Sequence, residues 1–321
     1  MRLLLSGTCS PGLNSNYGLI EEIYEGFQAI PDNVASVETK LVQIFELIDA
    51  IKEWKPAIIL LIGGLALETI PLFLIKDLAE LAGSSLIFWS LEDPYEIDHV
   101  LSKGSIFDII FTTDFSSSLF YPGDWNIHHL PMASPFKRYS SNNIAQYNLN
   151  RWFFCGVPFA NRVSYLRSLA KLEPHGTIIG PSWLDFPLET FLYRKRISNR
   201  ILREFYSLMP LTIYLGREHN LNNKSCIIPS TPGPRLFECA GSSGLQVFCS
   251  SALEIDQYYE PGREILQSSN FSDTAELIRW ITCEPLKAEQ IKKNAWKRTQ
   301  NEHLYVHRAE KIIKICLDNL A

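Results

Sequence analysis

The run Thr231-Pro232-Gly233-Pro234-Arg235-Leu236-Phe237-Glu238 combines the residue types that hold an anion at the start of a helix. The Pro-Gly-Pro turn leaves Pro234 at the first helical position, where its missing N–H removes nothing the helix needs. The free N–H groups beside it, with the positive end of the helix dipole, attract phosphate. Arg235, one residue in, adds a bidentate donor suited to a diphosphate. Glu238 lies one turn later on nearly the same face and can accept hydrogen bonds from a ribose diol. The same spacing also suits a plainer arrangement, in which Glu238 favours the helix N-terminus and pairs with Arg235.

Further candidates surround this one. Gly156 closes the apolar run Trp152-Phe153-Phe154-Cys155, at a point where a side chain would crowd an approaching phosphate. Arg162, six residues on, either reaches the same diphosphate or forms a surface ion pair. Trp183, in Gly180-Pro181-Ser182-Trp183, either lines a base pocket or belongs to the core. In the first half, Glu92 and Asp93 follow Phe88-Trp89-Ser90-Leu91 and are the candidate catalytic carboxylates, placed to orient or deprotonate an acceptor hydroxyl. Asp93-Pro94 serves equally well as a helix start. Asp114, after Phe111-Thr112-Thr113, and Asn14 and Asn16, in the loop after the first strand, are candidates for holding the acceptor. Capping or turn formation is the competing role for the asparagines. No Asp-x-Asp metal motif and no His/Cys cluster is present, so no metal is expected. His303 and His307 sit at i, i+4 spacing, and packing is the favoured reading of that pair.

The elements that must position these residues alternate. Short apolar runs at residues 2–6, 57–62, 85–90 and 107–112 read as buried strands, separated by amphipathic helices at residues 17–30, 41–51 and 95–101. A polar stretch at residues 131–150 reads as a connection. Strands at 152–155, 177–179, 211–215 and 245–248 then alternate with helices, and three helices finish the chain. Continuous apolar strands between amphipathic helices predict parallel sheets covered on both faces. The expected fold is α/β, with two Rossmann-like doubly wound domains facing across a cleft, the GT-B arrangement. Its ligands belong at the carboxyl ends of the strands.

Composition narrows the classes. With 321 residues, 46% hydrophobic and 20% charged, the chain is no disordered protein. A formal charge of −5 gives no bulk attraction to nucleic acid or anionic membranes, so no nucleic-acid partner is expected. None of the seven cysteines forms a CxxC pair, which excludes a zinc knuckle and fits a reducing, cytoplasmic setting. The apolar stretch at residues 57–67 is broken by Gly63-Gly64, so no integral membrane segment is expected.

Four segments, in this order, resemble the CgeB-like (spore maturation protein) glycosyltransferases of the GT-B superfamily. They are Glu92-Asp93-Pro94-Tyr95; Phe154-Cys155-Gly156 with Asn161-Arg162; Arg235-Leu236-Phe237-Glu238-Cys239-Ala240-Gly241 followed by Glu260-Pro261-Gly262-Arg263-Glu264; and Glu302-His303 onward. The resemblance runs from about residue 57 to the C-terminus. It implies transfer of a sugar from a nucleoside-diphosphate donor (UDP-, GDP- or dTDP-linked) to an acceptor hydroxyl on a protein, polysaccharide or small molecule. It implies no further cofactor, no metal, and retention of anomeric configuration. The donor would be held by Gly156, Arg162, Trp183, Pro234, Arg235 and Glu238. The domains expected are an acceptor-side domain at 1–140, a nucleotide-sugar domain at 150–303, and a helix at 304–321 returning to the first. Two departures stand out: related family-four enzymes often carry another glutamate where this chain has Ser230, and a basic residue where it has Val157. A sugar-nucleotide epimerase or hydrolase, and a non-catalytic binding protein of the same fold, are the alternatives.

Overall fold

A computed structural model of the chain describes residues 1–9, 17–66, 71–135, 150–217, 223–250 and 253–320. It divides into two compact units. The first contains β1 (Arg2–Gly7), α1 (Tyr17–Gln28), β2 (Glu38–Val42), α2 (Leu47–Trp54), β3 (Ile58–Gly63), α3 (Leu72–Ala82), β4 (Ser85–Ser90), α4 (Ile97–Lys103), β5 (Ile109–Thr112), α5 (Phe115–Ser118) and β6 (Ile127–His129). The strands form one parallel sheet in the order β2-β1-β3-β4-β5-β6. Its central strands are apolar because helices cover both faces: every residue of β3, Ile-Ile-Leu-Leu-Ile-Gly, is buried. The order reverses between β1 and β3, so that end of the sheet has a switch-point crevice.

The second unit contains β7 (Trp152–Cys155), α6 (Ala160–Leu172), β8 (Gly176–Ile179), β9 (Phe191–Tyr193), α7 (Asn199–Leu208), β10 (Thr212–Tyr214), α8 (Pro234–Gly241), β11 (Gln246–Phe248), β12 (Leu266–Gln267), α9 (Phe271–Cys283) and α10 (Pro285–Glu302). Its parallel sheet runs β12-β11-β10-β7-β8-β9. Renumbered within the unit, that is the Rossmann order, with the switch point between β7 and β10. The expected α/β architecture of two doubly wound parallel sheets is the one found. Four strands were not expected from the sequence, β2, β6, β9 and β12, and they are the four edge strands. The pattern at residues 41–51, read as one helix, is instead the end of β2, a short 3-10 turn at Ile44–Glu46 and then α2.

Two segments join the first unit from far along the chain. The last helix, α11 (Tyr305–Leu320), packs on α1, and a side chain on Gly26 would stand 2.7 Å from the Tyr305 backbone, so only glycine permits this approach. Arg308 Nε donates to Pro131 O (2.8 Å) and Lys311 Nζ to His129 O (3.1 Å), fastening α11 to the end of β6 and the residues after it. Residues 223–231 also belong to the first unit. Ile227 is buried in its core, and the Lys224 N–H donates to Asp98 Oδ2 (2.8 Å). The continuous second domain expected at 150–303 is therefore interrupted by this excursion. The expected polar connection at 131–150 lies largely outside the described residues, as do Asn14 and Asn16.

Candidate functional site

The candidate site is built at the switch point of the second unit. The α8 helix begins as its sequence predicts, with Gly233 as N-cap and Pro234 first in the helix. The Gly233 N–H donates to the Tyr214 hydroxyl (2.7 Å), tying the start of α8 to the carboxyl end of β10. Tyr214 is itself fixed by stacking on Phe248 of the next strand, with ring centroids 5.2 Å apart. Arg235 Nη1 and Glu238 Oε2 form an ion pair at 2.5 Å, one turn apart. The Glu238 side chain is only 2% exposed, whereas that of Arg235 is 41% exposed. The carboxylate is therefore enclosed, and the Arg235 side chain beside it is partly exposed. The Glu238 carboxylate, expected at a ribose, holds Arg235 through Oε2.

Arg162, in the first turn of α6, converges on the same place. Burial pushes the Cys155 thiol pKa up; Arg235 draws it down, Glu238 raises it and Arg162 again lowers it, so all three charged side chains act at the end of β7. Arg162 is held by carbonyls: Nε donates to Leu215 O and Gly216 O (both 3.2 Å), and Nη1 to Val157 O (3.3 Å). Its guanidinium lies 4.9 Å from the ring centroid of Phe159, and that of Arg217 lies 5.0 Å from it. Arg217 was missed in the sequence, where a single arginine in a loop after a short strand carries no signal. Arg162 and Arg217 thus share the Phe159 ring, and Arg162 and Arg235 both act on Cys155, a concentration of positive charge suited to an anion.

The Cβ absent from Gly156 would meet Phe154 at 3.0 Å and Arg162 Nη1 at 3.1 Å, so these two side chains already pack against that position. Trp183 is buried in the second unit's core, its indole N–H donating to Gly156 O (2.8 Å). It supports the loop after β7 through that bond. The Glu260-Pro261-Gly262-Arg263-Glu264 motif is a turn bonded to itself, with the Glu260 N–H on Glu264 Oε2 (2.9 Å) and the Gly262 N–H on Ile265 O (2.7 Å). His303 is buried against Phe237, Tyr258 and Tyr259, and His307 Nδ1 accepts the Leu304 N–H (3.1 Å), so both histidines are structural.

In the first unit the candidate acids separate. Glu92, at the carboxyl end of β4, is partly exposed, and its Cγ lies 3.3 Å from where a side chain on Gly64 would begin. Asp93 is buried, and its Oδ2 accepts from both Thr112 Oγ1 and the Tyr121 hydroxyl (2.6 Å each). Asp114 is buried as the N-cap of α5: Oδ2 accepts from Ser117 N and Oγ (2.9 Å each), and Oδ1 from the Ser230 and Thr231 N–H groups (2.7 and 3.0 Å). Both aspartates, candidates for acceptor contacts, are buried and hydrogen-bonded within the first unit. Both are enclosed because hydroxyls and N–H groups of neighbouring elements fold onto them.

Ser230, at the position of the missing glutamate, is part of the same knot, its Oγ accepting the Ser116 N–H (3.0 Å). Thr231 Oγ1 accepts the Phe115 N–H (3.0 Å) and also lies 3.1 Å from His129 Nε2, a hydrogen bond whose donor depends on the imidazole tautomer. Burial pushes the His129 pKa down to about 4, against the pull of Asp114 and with help from Lys311 and Arg308.

Burial raises the Asp93 pKa to about 6, its hydroxyl partners only partly opposing the shift. The folded state therefore keeps a proton that the unfolded chain loses near pH 4, and stability falls as pH rises from about 4 to about 6. Asp93→Asn retains an acceptor oxygen and removes this titration. The stability difference between variant and wild type, from urea unfolding, is expected to shift in the variant's favour by on the order of 3 kcal/mol between pH 4 and pH 7. A difference independent of pH would show that Asp93 ionises freely.

Together the two parallel sheets define the GT-B type of α/β fold. A family model described as glycosyl transferase-like matches residues 162–314, the span that carries Arg162, Arg217, Arg235 and Glu238. Among solved structures, sucrose-phosphate synthase from Thermosynechococcus elongatus is 10% identical, with a TM-score of 0.66 over 100% of this chain and 99% of that one. Anabaena Alr3699/HepE in complex with UDP-glucose is 10% identical, with a TM-score of 0.65 over 99% and 100%. A putative UDP-N-acetylglucosamine 2-epimerase from Listeria monocytogenes is 12% identical, with a TM-score of 0.56 over 98% and 95%. No curated protein matches the chain. Among the described residues, no helix is long and apolar enough to cross a membrane, and no group of three His, Cys, Asp or Glu could hold a metal ion.

Proposed function

We propose that this chain is a glycosyltransferase that takes a sugar from a nucleoside-diphosphate donor bound at the switch point of the second unit. The observation that carries the reading is Arg235: held by an enclosed Glu238, partly exposed, and seated at a helix start with Arg162 acting on the same strand end. Such a group can hold the diphosphate and stabilise its charge as the sugar departs, with no metal required. The HepE structures hold UDP-glucose and UDP, which makes uridine diphosphate the first donor to try. On the acceptor side Glu92 is the remaining accessible carboxylate of the sequence candidates within the described residues, and we assign it to orienting the acceptor hydroxyl. Retention of configuration follows by analogy with the resembled family, and a retaining site of this kind needs no dedicated base.

The test is a comparison of UDP, GDP and dTDP by thermal unfolding. At a hundredfold excess over Kd, the correct diphosphate should raise the midpoint by roughly 5–10 °C. A chain that no nucleoside diphosphate stabilises would contradict the proposal. The epimerase among the structural neighbours favours a second reading, a sugar-nucleotide epimerase. It predicts an epimeric sugar nucleotide formed without any acceptor, whereas a transferase releases diphosphate in step with acceptor. Binding without turnover of either kind would mark a non-catalytic binding protein.

A further inference from the structure

The sequence reading places Arg162 on the diphosphate. Its contacts point elsewhere. A cation in the first turn of a helix opposes the helix dipole, so its placement there needs compensation. The compensation comes from three backbone carbonyls, Val157 O after β7 and Leu215 O and Gly216 O after β10. Asn161 Nδ2 donates to the same Gly216 O (3.3 Å), so two neighbouring side chains of α6 fasten that residue. The guanidinium also lies over Phe154 at 5.6 Å and Phe159 at 4.9 Å, and Gly156 gives it room by having no side chain. The two loops joined in this way are the pair that flank the switch point of the sheet.

We propose that Arg162 is a positioning residue of the donor site. Its forked guanidinium fixes the loops after β7 and β10 at one separation, and donor affinity depends on that separation rather than on a contact between Arg162 and the phosphates. The inference rests on the donor-site reading above. It requires a planar fork that serves several acceptors at once, which lysine cannot replace.

Arg162→Met and Arg162→Lys, made in the full chain, separate the two roles when uridine, UMP and UDP are titrated by calorimetry. Positioning predicts that Met weakens all three by a similar factor, roughly tenfold or more, and that Lys does not restore them. It also predicts that amide hydrogen exchange quickens by roughly tenfold in residues 156–159 and 215–217, with the thermal midpoint little changed. A loss confined to UDP and recovered by Lys would overturn the proposal and place Arg162 on the diphosphate. Unchanged exchange in both loops would overturn it as well. A wild-type chain that binds none of the three ligands sinks the donor-site reading instead, and the exchange rates still decide whether Arg162 fixes the loops.

Discussion

Arg235→Ala should abolish measurable turnover and weaken nucleoside-diphosphate binding by roughly ten- to a hundredfold, the scale of one or two charge-assisted hydrogen bonds. The same change leaves the Glu238 carboxylate enclosed with its cation gone, and a lone buried charge is strongly destabilising. A loss of activity alone would therefore confuse binding with folding. Arg235→Met combined with Glu238→Gln removes both charges at nearly constant volume. This pair should recover most of the thermal stability lost in Arg235→Ala while leaving diphosphate affinity low. Calorimetry with UDP, beside urea unfolding of each variant, separates the two. Full affinity in the double variant would show that Arg235 serves the fold and not the ligand.

The second large effect is expected at Asp114. Its carboxylate accepts four hydrogen bonds, two within its own helix turn and two from Ser230 and Thr231, more than a hundred residues away. Asp114→Ala leaves buried N–H groups without acceptors and removes a helix cap, and should destabilise the chain by about 3 kcal/mol or more. Asp114→Asn should be nearly as harmful, because its amide group sets N–H against one of the two donor pairs. Limited proteolysis would show where the damage lies: cleavage within residues 223–231 should appear before cleavage in the sheets. A variant of wild-type stability with that segment still protected would mean that the knot is redundant.

These two residues also show how far the sequence could be read. Central strands such as β3 and β4 are buried on both faces, so they appear as unbroken apolar runs, Ile-Ile-Leu-Leu-Ile and Ser-Leu-Ile-Phe-Trp-Ser. The edge strands β2, β6, β9 and β12 have no such requirement. In β2 only Val42 of five residues is buried, and the run next to it fits a helical period as well as a strand. The start of α8 was legible because Pro234 and the i, i+3 pair of Arg235 and Glu238 are local features. Which of that pair is enclosed was not, since burial depends on elements remote in sequence. Asp114 before Phe115-Ser116-Ser117 carries a recognisable N-cap signal, but its bonds to Ser230 and Thr231 span a gap that no local pattern crosses. An arginine near a glycine-closed strand suggests a phosphate contact, whereas the hydrogen bonds that Arg162 makes to backbone carbonyls leave no mark in a sequence.

The central claim, that a partly exposed Arg235 at the start of α8 holds a pyrophosphate, is tested most directly by a crystal structure of the chain with bound UDP. The account predicts phosphate oxygens within hydrogen-bond distance of the Arg235 guanidinium, beside the loops that follow β7 and β10. A UDP molecule bound only at the carboxyl end of the first sheet, or one whose phosphates avoid Arg235, would contradict it.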